Sequence, residues 1–83
     1  MPSAKDIFYD VICGSRDSNI RFHDLCKLLE TLGFSCMVKG DHFIWYREDV
    51  EEIINIQPEG NKAKPYQVKQ VRRLITQYKL EVQ

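Results

Sequence analysis

Apolar positions along this chain change their period twice, and the changes mark its elements. Ile7, Phe8, Val11 and Ile12 recur at helical spacing, which predicts a helix over residues 3–13 with Ser3 as its N-cap. Gly14 stops it, and Gly14-Ser15-Arg16-Asp17-Ser18-Asn19 reads as a loop. Phe22, Leu25, Cys26, Leu28, Leu29 and Leu32 then form a broad apolar stripe, which predicts a second helix over 22–32 with one buried face. Gly33 stands where a left-handed residue is wanted past a helix end, with Phe34 folding back onto the last turn.

Beyond Gly33 the period drops to two. Residues 34–39 alternate Phe34, Cys36 and Val38 against Ser35, Met37 and Lys39; residues 42–47 alternate His42, Ile44 and Tyr46 against Phe43, Trp45 and Arg47. Gly40-Asp41 joins the two as a compact turn. A second turn over 48–50 leads to a third strand over 52–57, with Ile53, Ile54 and Ile56 in the core and Pro58 as its end. Such short connections predict an antiparallel meander. Residues 59–64 read as a polar loop, and Pro65 opens a last helix, where its missing N–H costs nothing. Val68, Val71, Leu74, Ile75 and Tyr78 form the buried stripe of that helix; Lys69, Arg72, Arg73 and Lys79 lie off it and are expected in solvent. The predicted fold is α+β, with helices on one face of a three-stranded antiparallel sheet and the other face partly open.

Length keeps this to a single domain over 1–83, since a second core needs more chain. A chain so short buries only about 60–65% of the surface that its unfolded form exposes, so any site is expected on a sheet face, a turn or a helix end. Net charge is zero but unevenly spread. From Pro58 onward Lys62, Lys64, Lys69, Arg72, Arg73 and Lys79 face only Glu59 and Glu81, while Glu48, Asp49, Glu51 and Glu52 form the densest acidic run of the remainder. That polarity fits a polyanion at one end and a basic partner elsewhere, and equally an ordinary mixed surface. Cys13, Cys26 and Cys36 are odd in number and far apart, fit neither a disulfide framework nor a zinc site, and read as small core residues of a reduced, cytoplasmic protein. No signal-peptide pattern is present, and no apolar run approaches the about 18 residues that span a membrane.

Two histidines are the candidates for proton transfer. His23 sits beside Asp24 in the first turn of a helix, where the dipole disfavours a cation, and reads as surface or packing. His42 follows a glycine turn, opens a strand and has Lys39 and Arg47 on either side in sequence. Imidazole holds or releases a proton near neutral pH, as general acid–base catalysis requires. With no Ser or Cys partner, no second His and no carboxylate pair, spacing leaves the packing and catalytic readings both open.

Three stretches carry a resemblance. Leu28-Leu29-Glu30-Thr31-Leu32-Gly33-Phe34, then Lys39-Gly40-Asp41-His42-Phe43-Ile44-Trp45, then Gln57 through Val68 with its Pro65-started helix, resemble the HicA family, the toxin members of bacterial HicA–HicB toxin–antitoxin pairs. The resemblance implies a double-stranded-RNA-binding-like α-β-β-β-α fold over a core of residues 22–79, with the helix over 3–13 extra to it. It also implies cleavage of messenger RNA, with the family's working histidine falling on His42, and a HicB-like antitoxin as protein partner. The family turn reads Gly-Ser-His; here Asp41 replaces the hydroxyl residue, and its charge would either repel RNA or favour the imidazolium form. The chemistry that fits is metal-free and needs no cofactor, because RNA supplies its own 2′-hydroxyl nucleophile. Lys39, Lys62 and Lys64 are the candidate cations for the phosphate, Gly40 lies in the RNA-contacting turn, and Tyr46 or Lys39 is the candidate second proton-transfer group. Lys62 and Lys64 stand before a helix N-terminus, a natural anion site, and Phe43 and Trp45 are expected in the core, with stacking of unpaired bases as the alternative reading. Two other functions remain open at this point, a non-catalytic RNA-binding module and a protein-interaction domain of the same fold.

Overall fold

The computed structural model describes residues 2–82. It contains α1 (Ala4–Cys13), α2 (Phe22–Thr31), β1 (Ser35–Lys39), β2 (His42–Arg47), β3 (Val50–Ile56), β4 (Pro58–Glu59), β5 (Lys62–Ala63) and α3 (Pro65–Tyr78). The α+β fold and its helix–strand order are those expected, with α1 ahead of an α-β-β-β-α unit.

Capping chemistry explains the helix limits. Ser3 and Asp6 form a reciprocal box at the start of α1, each side chain accepting from the other's backbone N–H at 3.2 Å. Gly14 ends the helix in a left-handed conformation (φ 71°). At the end of α2 the Gly33 N–H donates to the Glu30 carbonyl and the Phe34 N–H to that of Leu29, which turns the chain and buries Phe34.

The three long strands form an antiparallel sheet in the order β1-β2-β3. Cys36 faces Trp45 and Val38 faces Phe43 across one ladder, and Trp45 faces Ile54 across the other, so these side chains share the inner face. Trp45, Ile54 and Ile56 are buried there in one cluster with Phe22, Leu25, Leu28, Leu29, Val68, Val71 and Leu74 from the helices. Helix α1 packs against α2 and α3, contributing Ile7 and Val11 to the cluster, while its Ile12 stays partly exposed. The other sheet face carries Met37, Tyr46 and Ile53 in solvent, as an uncovered face requires.

Four expectations are corrected. First, the third strand begins at Val50, not after it, and Ile53 is 61% exposed. A register shift between Trp45 and Arg47 places Val50 opposite Arg47, and strict alternation then turns Val50, Ile54 and Ile56 inward and Ile53 outward. Second, residues 58–63 are not a loop but the β4–β5 hairpin, turning at Gly60-Asn61. It is tied to the entrance of α2 by an Ala63 N–H to Ile20 carbonyl bond and a Phe22 N–H to Asn61 carbonyl bond, both 2.9 Å. Third, Cys13 and Cys36 are exposed and only Cys26 is partly buried. Cys13 is the last residue of α1 and Cys36 lies on an edge strand, so neither position has a second layer over it.

Fourth, Arg72 is half-buried in an ion pair and not free in solvent, whereas Arg73 is exposed as expected, though paired. Arg73 forms a two-pronged pair with Glu52 of β3 at 3.1 and 2.8 Å. Arg72 grips Asp17 at 2.8 and 3.1 Å and also donates to the Val11 carbonyl at 3.0 Å, fastening α1 and the following loop to α3. Arg72→Leu is expected to cost about 2 kcal/mol, as loss of a partly buried bidentate pair does, measured by urea unfolding. The Arg72 hydrogen bond holds the Asp17 carboxyl below its ordinary value of 3.8. Its stabilisation is therefore complete above that value and is lost as pH falls below it, an acid dependence that Arg72→Leu should lack.

Candidate active site

The β1–β2 hairpin places His42. Gly40 takes a positive φ of 62° while Asp41 does not, the pattern of a two-residue turn with glycine at the first central position. The turn closes on the pair Lys39–His42. Alternation then puts His42 on the uncovered face, at the end of the sheet, with Lys39 beside it on β1.

Both nitrogens of the His42 ring have neighbours. Nδ1 lies 3.2 Å from Oδ1 of Asn55 on β3. Nε2 lies 3.4 Å from the amide nitrogen of Gln57 and 3.7 Å from Oδ1 of Asp41. The same Gln57 amide nitrogen donates to Oδ2 of Asp41 at 3.2 Å. The His42 side chain is 45% exposed and that of Asp41 73%. The result is an imidazole held from two sides with an open approach, next to a lysine and a tethered carboxylate. Such a group can exchange a proton with a ligand laid across the sheet face.

The other expected site residues divide. Lys39 and Gly40 belong to the His42 hairpin end. Lys62 stands opposite Glu59 in the second hairpin and bridges to Arg21 at the start of α2. Lys64 precedes α3, its backbone N–H bonded to Oε1 of Gln67 at 3.3 Å. No hydrogen bond or ion pair among the described residues joins Lys62 or Lys64 to His42. Tyr46 is exposed on the His42 face, one alternation beyond Ile44.

Phe43 and Trp45 are not stacking platforms. Phe43 meets Phe22 edge-on at 4.9 Å between ring centres, and Trp45 is 4% exposed. Arg47, on their face, donates to the Leu32 carbonyl at 2.8 Å and pairs with Asp49 at 2.7 Å, so it serves the end of α2. His23 lies on the surface with its ring 6.0 Å from that of Phe22. The Cys26 thiol is pushed up to about 12, chiefly by burial, and is inert at neutral pH.

Asn55 and Gln57 are the residues that sequence reasoning missed. Asn55 interrupts an isoleucine-rich strand with a polar side chain, and with Phe43 opposite Ile56 the ladder sets Gln57 level with His42. The strand parity was available as a signal; the register was not.

The site and scaffold define a small α+β protein with an α-β-β-β-α unit, one uncovered sheet face and one oriented, accessible imidazole at its end. The chain matches the family of HicA toxins of bacterial toxin–antitoxin systems over residues 22–79, more than two-thirds of its length, and it belongs to that family. Members of the family are generally RNA-cutting toxins. No curated protein and no solved structure matches the chain. No helix among the described residues is long and apolar enough to cross a membrane.

Proposed function

We propose that this protein is an endoribonuclease toxin that cleaves messenger RNA without a metal ion, with His42 as its proton-transfer group. The observation that carries the reading is the placement of His42: exposed, held by Asn55 and beside Lys39, in a chain of the HicA family. RNA brings its own nucleophile. The 2′-oxygen forms a bond to the adjacent phosphorus as its proton passes to His42, and the bond to the 5′-oxygen breaks, that oxygen taking a proton from water. Products are a 2′,3′-cyclic phosphate and a 5′-hydroxyl end. Lys39 stabilises the added charge on phosphorus, and Lys62 and Lys64 hold the strand farther along.

A HicB-like antitoxin is the protein partner of this reading. Met37, Tyr46 and Ile53 give it an apolar seat on the same sheet face as His42, so that docking there would cover the imidazole. Asp41 favours a second reading, a non-catalytic RNA-binding module, because its carboxylate stands 3.7 Å from Nε2, where a phosphate must approach.

The test is incubation of labelled RNA with nuclease-free protein in chelator. Fragments ending in a 2′,3′-cyclic phosphate are expected. Salt-sensitive binding without fragments supports the binding module, and no affinity at low salt removes RNA from the account.

A further inference from the structure

We propose that Asn55 is a positioning residue that holds the His42 imidazole as its Nδ1–H tautomer and so makes Nε2 the nitrogen that meets the substrate. This rests on the reading of His42 as the proton-transfer group, and it makes that group a base. Oδ1 of Asn55 lies 3.2 Å from Nδ1, and a carbonyl oxygen accepts but cannot donate. Nδ1 therefore carries the hydrogen, and in the neutral ring Nε2 is left with its lone pair.

Gln57 reaches the same answer from the other side. Its amide nitrogen donates one hydrogen to Oδ2 of Asp41 at 3.2 Å and faces Nε2 with the other at 3.4 Å. An amide N–H can face a lone pair and is repelled by a second N–H, so one tautomer satisfies both contacts. Free imidazole in a histidine side chain favours the opposite arrangement, with hydrogen on Nε2, so the protein has reversed the intrinsic preference.

The two contacts differ in strength as the chemistry needs. A 3.4 Å amide–imidazole contact is weak and easily displaced, and Gln57 stays anchored on Asp41 when an RNA hydroxyl takes its place. The proton then moves from the 2′-hydroxyl to Nε2. Nδ1–H stays on Asn55, and the new Nε2–H lies beside Oδ1 of Asp41, 3.7 Å away. Asp41, the residue that departs from the family turn, thereby stabilises the imidazolium once it forms.

Long-range proton–nitrogen correlation spectra of the ¹⁵N-labelled full chain, recorded above the titration of the imidazole, report the tautomer directly. Wild-type His42 is expected to show a protonated Nδ1 and an unprotonated Nε2. Asn55→Ala is expected to move hydrogen to Nε2, and Asn55→Asp, which keeps an acceptor oxygen, to retain the wild-type pattern, with His23 unchanged in each. In RNA cleavage Asn55→Ala is expected to lower kcat about tenfold with KM unchanged, the signature of a lost transition-state contribution. An Nε2–H tautomer in the wild type overturns the proposal, as does an Asn55→Ala spectrum identical to it. A rise in KM alone would make Asn55 an RNA contact and also overturns it. Wild-type spectra as expected with no RNA cleavage would remove the reading of His42 as catalytic while the tautomer assignment stands.

Discussion

His42→Ala is expected to lose RNA cleavage by at least about a hundredfold, the lower end of what a positioned acid or base contributes. The reason for expecting a large loss is that none of the groups held against the ring among the described residues is a free base placed to replace it. Among the described residues the His42 ring touches Asn55, Gln57 and Asp41. Two of these are amides that cannot take a proton, and the third is a carboxylate already bonded to Gln57. The fold should hardly notice the change. The side chain is 45% exposed and its bonds are at the surface, so a stability change within about 1 kcal/mol is expected. Fluorescence of Trp45, the chain's single tryptophan and 4% exposed, reports whether the sheet stays packed. His42→Gln, which can donate and accept but not titrate, should be as inactive as His42→Ala if proton transfer is the role. Retained cleavage by either folded, nuclease-free variant would sink the assignment.

The sequence made much of this site readable, and the limit has a physical cause. Gly40-Asp41 between two alternating stretches predicts a tight hairpin, and the hairpin alone puts His42 at the end of a sheet with Lys39 alongside. The capped ends of α1 and α2 follow from Ser3, Gly14 and Gly33 for the same reason: each is a local device, set by neighbours in the chain. What the sequence did not yield depends on contacts far apart in it. The shift between Trp45 and Arg47 sets the register of β3, and with it which of Ile53 and Ile54 is buried and which polar residues flank His42. Arg72 is off the apolar stripe of its helix and reads as solvated, yet its partner Asp17 is 55 residues away. The β4–β5 hairpin looks like a polar loop because its order comes from Ile20 and Phe22 at the entrance of α2. Local patterns give elements; register and ion pairing wait on packing.

Val11→Asp carries the largest expected effect on stability, and it decides whether α1 is part of the domain. The family match begins at residue 22, beyond α1, so the helix could be an appendage or a layer of the core. Ile7 is 2% exposed and Val11 0%, both in the same cluster as Leu25, Leu28 and Leu29. The Val11 carbonyl accepts from Arg72, and Arg72 also holds Asp17, so the end of α1 is fixed to α3 by charge as well as by burial. A carboxylate at position 11 gives up about 1.5–3 kcal/mol of apolar burial and adds a desolvation cost of several kcal/mol more. An 83-residue domain holds roughly 4–12 kcal/mol in all. Loss of about 4 kcal/mol or more is therefore expected, and with about 4–8 °C per kcal/mol in a domain of this size the midpoint should fall by roughly 20 °C or more. Ile12→Asp is the control, one residue on and 38% exposed, with an expected change within about 1 kcal/mol. Thermal unfolding followed by Trp45 fluorescence, with the probe on the sheet and the mutation on α1, tests whether the two unfold together. A Val11→Asp midpoint within a few degrees of wild type would make α1 a detachable arm, and the core over residues 22–79 would then have to stand without it.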